Sequence, residues 1–163
     1  MADAILTQKQ LKEVLFYDAE TGIFTRRVNS LNNKNIGDTA GSVQNGYVKI
    51  RVLGKMYRAH RLAWLYMTGA FPAKLIDHIN GIGTDNRFSN LRNVSQSVNM
   101  QNVRNARANS NTGILGVKQS GSKYTARIVV DKKRHYLGTF DNAKLAHDAY
   151  IAYKRLHHAG CTI

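Results

Sequence analysis

A chain of 163 residues fits one medium domain or two small ones joined by a linker, and 43% hydrophobic residues suffice for a buried core. Lys and Arg number 24 against 10 Asp and Glu, a formal charge of +14 that points to a polyanionic partner, nucleic acid first. A lone cysteine, Cys161, excludes an intrachain disulfide and the common Cys-rich zinc sites, and no run of eighteen apolar residues is present to span a membrane.

The opening "MADAILTQKQLKEVLF" lacks the charged start, apolar run and small-residue cleavage site of a signal peptide, so a soluble protein in a reducing, intracellular compartment is expected. Within it, Thr7 is a suitable N-cap, and Leu11, Val14 and Leu15 fall at helical spacing. After the turn "DAETG" comes the extended "IFTRR", then a polar loop, "NSLNNKNIGDTAGSVQ". In "GYVKIRVLGKMYRAHRL", Val48, Ile50 and Val52 alternate with Tyr47, Lys49 and Arg51, which separates an apolar strand face from a basic, aromatic one. That basic face is either solvated or turned to DNA, and Lys49 and Arg51 are its candidate contacts. "HRLAWLYMTGAF" reads as a helix stopped by Gly69 and Pro72, with Leu62, Leu65 and Tyr66 in the core.

The next stretch, "LIDHINGIGTDNRFSNLRNVSQSVNMQN", is rich in Asp, His and Asn and poor in apolar periodicity. "LIDHI" and "LRNV" are short strands around a Gly- and Asn-rich loop, and Ser95 can cap a helix beginning "QSVNMQNV". Packed together, such a strand, loop, strand and helix can bring Asn99 to Asp77 and His78. A carboxylate and an amide oxygen are hard donors suited to Mg²⁺ or Mn²⁺, and a neighbouring imidazole can accept a proton from an attacking water. Residues 1–50 carry 6 basic and 5 acidic groups, 51–111 carry 9 and 2, and 112–163 carry 9 and 3, so the positive excess begins just upstream of this stretch.

The pattern resembles the HNH endonucleases with a ββα-metal site, and within them the phage-type homing branch. Asn90 follows His78 by 12 positions, Asn99 follows Asp77 by 22, and "HRLAW" lies upstream. The resemblance implies that Asp77 and Asn99 hold one divalent cation, Mg²⁺ or Mn²⁺ rather than zinc. It makes His78 the general base and Asn90 the tie that closes the hairpin loop. His60 of "HRLAW" becomes a supporting candidate, although a lone histidine beside an apolar helix is commonly a core group.

The tail carries a second, independent pattern. It follows the linker "VRNARANSNTG" and reads as three strands and a helix, with "DKK" turning "KYTARIVV" into "RHYLGTF", Asp141 as the cap, and Leu145, Ala149 and Ala152 facing the sheet. With its "LGTFD" segment and Ala- and Tyr-rich helix, the tail resembles the Apetala-type, or ethylene-response-factor, DNA-binding domain. The resemblance implies a sheet laid in the major groove, with Lys118, Arg127, Arg134 and Tyr136 on the DNA face; Tyr136 could equally serve sheet packing. Tyr124 and Val129 depart from the family pattern, so sequence preference does not transfer.

The expected architecture is α+β. Residues 1–56 form a helix and strands with DNA contacts, 57–105 a nuclease core, 106–112 a linker, and 113–163 the DNA-binding domain. The expected function is site-preferring hydrolysis of double-stranded DNA in the cytoplasm of a host cell, by a protein able to act as a monomer and without a membrane partner. The alternative is a catalytically inactive descendant that binds DNA.

Overall fold

The computed structural model describes residues 6–29 and 35–163; positions 30–34 of the expected polar loop, and the first five residues, lie outside them. By internal contacts the chain divides into two compact units that meet between Ser95 and Gln96. The first combines two helices with three small antiparallel sheets and the second two helices with one, a mixed α+β arrangement among the described residues.

In the first unit, helix α1 (Gln8–Val14) starts on a reciprocal cap, because the Thr7 hydroxyl accepts from Gln10 N and the Gln10 side chain accepts from Thr7 N. Leu15 opens strand β1 (Leu15–Tyr17) rather than continuing the helix, and β1 pairs with β2 (Phe24–Arg26). A three-stranded sheet follows, of β3 (Ser42–Gln44), β4 (Tyr47–Val52) and β5 (Lys55–Arg58). Strand β3 falls inside the stretch expected as loop. All three of its residues are exposed, so it lacks the apolar alternation that would announce a strand.

Ile50 and Val52 of β4 are buried, and the register places Lys49 opposite Arg58 and Arg51 opposite Met56 on the other face. Helix α2 (Ala59–Thr68) ends at Gly69, whose φ of 84° is the left-handed stop the sequence calls for. Leu62 and Leu65 are fully buried, and Tyr66 is half-buried against Tyr17 and Phe24. Strands β6 (Leu75–His78) and β7 (Leu91–Val94) form a hairpin whose Leu91 joins this core. A 3₁₀ turn, Phe88–Asn90, enters β7, and Phe88 packs on Trp64 of α2.

The second unit holds α3 (Gln96–Gln101), the sheet β8 (Val117–Ser120), β9 (Lys123–Val130) and β10 (Lys133–Phe140), and α4 (Ala143–His157). Strand β9 is central, and a bulge interrupts β10 between Tyr136 and Gly138. The cap of α4 is Asn142, whose side chain accepts from Leu145 N; Asp141, the expected cap, pairs instead with Lys123. Starting one residue later, α4 buries Ala146, Tyr150 and Lys154, while Leu145 and Ala152 are exposed. Gly116 fixes this rotation, because a Cβ there would overlap the Tyr150 ring.

Candidate functional site

The loop of the β6–β7 hairpin is closed by polar side chains instead of apolar ones. Asn90, 7% exposed at the foot of β7, accepts from Asn80 N through Oδ1 and donates through Nδ2 to Asn80 Oδ1 and Asp85 O. Asn80 in turn accepts from Ile82 N and donates to Asp85 Oδ2, and the Arg87 guanidinium grips Asp85 in a fork. The bonds to Arg87 hold the Asp85 carboxyl at about 2, below the usual range.

His78 and Asp77 stand at the end of β6, 6% and 7% exposed. Asp77 lies opposite Arg92 in the register, and Arg92 donates to its Oδ2 from Nε at 2.9 Å and from a terminal nitrogen at 2.7 Å. His78 Nε2 lies 3.4 Å from Asn86 Oδ1. Because Asn86 Nδ2 donates to Thr84 O, its oxygen faces the ring, which makes Nε2 the protonated nitrogen and leaves Nδ1 as the basic one. Asn86 is 2% exposed, and its own carbonyl accepts from Tyr17 Oη at 2.6 Å. The sequence gives no hint of this role for Asn86, since it is one of several asparagines in one loop and its partner is fixed only by the turn between them.

His60, the second residue of α2, is 4% exposed and meets His78 edge to face, with ring centroids 5.0 Å apart. Tyr47 touches both imidazoles, and the Arg58 guanidinium lies over the Tyr47 ring. Burial, reinforced by His78, Arg58 and Arg61, pushes the His60 pKa down to about 3. Burial also lowers His78, against smaller opposing effects of the Asn86 hydrogen bond and the carboxylates of Asp77 and Asp85. Both rings are therefore neutral at neutral pH.

Asp77, His78, Asn90 and His60 thus gather in the first unit, together with Asn86, Tyr47 and Arg92, while Asn99 lies half-buried on α3 of the second. Residues 57–101 match the HNH endonuclease family. The match runs from Tyr57 in β5 to Gln101 at the end of α3, less than a third of the chain, and includes His60, Asp77, His78, Asn90 and Asn99. It supports nuclease chemistry on DNA. Neither a curated protein nor a solved structure matches the chain.

The donor chemistry fits the divalent cation that HNH nucleases generally use. Asp77 supplies a carboxylate oriented by Arg92, and no group of three or more His, Cys, Asp or Glu is gathered as a metal cage among the described residues. A hard cation held here would take most of its ligands from water and phosphate, as Mg²⁺ commonly does.

The remaining candidates lie on the two larger sheets. Lys49 and Arg51 share the outer face of β4 with Arg58 of β5. In the second unit Arg127 pairs with Tyr136, Val129 with Arg134 and Lys118 with Thr125, so all four candidate residues occupy the sheet face turned away from α4. Tyr136 is 60% exposed there, and its hydroxyl hydrogen-bonds that of Thr139. No helix among the described residues is long and apolar enough to cross a membrane.

Proposed function

We propose that the protein is a site-preferring endonuclease that hydrolyses phosphodiester bonds of double-stranded DNA by a one-metal HNH mechanism, in the manner of phage-type homing enzymes. The observation that carries this reading is the buried, neutral His78, its ring fixed by Asn86 and His60 beside Asp77, within the very residues that match the HNH family. His78 Nδ1 takes the proton of the attacking water as its oxygen bonds to phosphorus and the bond to the leaving deoxyribose oxygen breaks. Asp77 and Asn99 would supply the protein's oxygen ligands to one Mg²⁺ or Mn²⁺. When bound, the cation supplies Lewis-acid stabilisation of the charge that develops on the phosphate. Asn90 keeps the loop closed so that Asn86 and His78 keep their places.

The outer faces of the two sheets serve DNA binding in different ways. Lys49 and Arg51 are phosphate contacts, whereas Lys118, Arg127, Arg134 and Tyr136 form a reading face of the ethylene-response-factor type, laid in the major groove. The protein acts in the cytoplasm of a host cell.

Nicking of supercoiled plasmid with added Mg²⁺ tests the reading. The wild type should cut and EDTA should stop it. His78→Ala should slow cleavage by about 10²–10⁴-fold, the usual contribution of a general base, with DNA affinity unchanged. Cutting that persists without divalent metal, or at the wild-type rate in His78→Ala, rejects the mechanism.

A further inference from the structure

Helix α3 spans six residues, none of them fully buried, which is too short to persist on its own. Its order must come from tertiary partners, and within the second unit these include α4 and the segment that follows it. Gly160 N donates to Gln101 Oε1 at 2.9 Å, and Gly160 approaches so closely that a Cβ would overlap the Val98 carbonyl. The Thr162 hydroxyl donates to Asn102 Oδ1 and accepts from Arg104 at 2.6 Å, while the Thr162 carbonyl accepts from the same Arg104 nitrogen at 3.0 Å. Asn102 is 6% exposed and its amide closes the last turn of the helix onto Asn99 O at 3.1 Å. From α4 itself the Lys154 ammonium, 1% exposed, donates to the Val103 carbonyl.

These contacts bracket Asn99, with Val98 and Gln101 on either side of it and Asn102 to Arg104 just beyond. The clamp is itself rooted, because a turn from Cys161 N to His158 O sets the tail's direction, and α4 packs on the buried Val117, Ala126 and Ile128. A helix with no core of its own is thereby tied to one that has a core.

We propose that Gly160 and Thr162 are positioning residues for Asn99, holding α3 so that its carboxamide is presented in one fixed orientation. This rests on the ligand role proposed above for Asn99. Thr162 offers the cleanest substitution, since Thr162→Val keeps the shape and removes both hydroxyl bonds, while Thr162→Ser keeps the hydroxyl. Gly160→Ala tests the close approach to Val98.

The experiment uses the full chain and two measurements. Metal-free amide hydrogen exchange over residues 96–103 should become about tenfold faster in Thr162→Val and Gly160→Ala, as the loss of two hydrogen bonds or of close packing predicts. Protection in β9, β10 and α4 should stay at the wild-type level, which separates a loosened α3 from a damaged fold. Plasmid nicking by Thr162→Val should show kcat lowered about 10- to 100-fold, a raised Mg²⁺ requirement and an unchanged KM for DNA, with Thr162→Ser restoring all three. Wild-type exchange over 96–103 in Thr162→Val would overturn the proposal, and so would faster exchange with unaltered kcat and Mg²⁺ dependence. A wild type that never cuts removes the nuclease reading and the catalytic part of this proposal with it, while the exchange result still decides whether the tail holds α3.

Discussion

His60 shows how one buried side chain ties the centre to acid stability. Its pKa is depressed from 6.5 to about 3 in the folded protein, so the unfolded chain accepts a proton that the folded chain refuses. Its contribution to stability is complete above about pH 6.5 and is lost progressively as pH falls towards about 3, at up to about 1.4 kcal/mol per pH unit for one imidazole. Urea unfolding midpoints should therefore drop between pH 6.5 and 4.5, and the drop should be shallower in His60→Phe, which keeps a ring against His78 and Tyr47 without the titrating nitrogens. A variant with the same pH slope as wild type would show that His60 is not the group responsible. At this scale the sequence was informative about chemistry and silent about contacts. His78 and Asp77 stand out as adjacent residues in "LIDHI", whereas Asn86, which sets the His78 tautomer, is indistinguishable by type from Asn80, Asn90 or Asn93 until the loop is folded.

At the scale of elements, the β1–β2 hairpin acts as the floor of the loop between β6 and β7. Gly22 has a φ of 74°, and a Cβ there would overlap the backbone of Asn86 and Arg87; Phe88 N also donates to Ala19 O at 2.9 Å. Gly22→Ala should destabilise the protein by about 1–3 kcal/mol and displace Asn86, slowing cleavage more than DNA binding. Gly54→Ala is the control, since Gly54 has a similar φ of 81° but open space around its α-carbon. Equal losses of urea stability and of nicking in the two variants would mean that the loop does not rest on the hairpin. Elements with a local signature were legible from the chain: the Thr7 cap of α1, the alternation of β4, the Gly69 stop of α2 and the two strands around the Asn-rich loop. Those decided by tertiary packing were not. Strand β3 has no buried residue to betray it, and the buried stripe of α4 is set by Tyr150 lying on Gly116 rather than by Leu145.

Over the whole molecule the net charge is +14, and part of the basic excess lies on two sheet faces, with Lys49, Arg51 and Arg58 on one and Lys118, Arg127 and Arg134 on the other. Phosphate contacts weaken binding to every sequence alike when removed, and each lowers the slope of log affinity against log salt by about 0.9. Lys49→Ala and Arg51→Ala should behave this way. Arg127→Ala and Arg134→Ala should instead cost about 1–3 kcal/mol on a preferred duplex and little on a scrambled one, as for a guanidinium paired with a base. Salt titrations on both duplexes separate the cases, and equal weakening by Arg127→Ala on the two would exclude base reading by that residue. The charge excess and its segmental distribution were visible in the composition. The division after Ser95 was not, because the bonds from Gly160, Thr162 and Lys154 to residues 101–104 join positions more than fifty apart. Those bonds bear on how such a protein can be recombined. A graft that exchanges the C-terminal sheet and α4 by cutting within the polar stretch 106–112 would part α3 from the tail that secures it. Residues 96–163 therefore travel together, Asn99 included, and a foreign module joined later in the chain must bring its own means of gripping that helix.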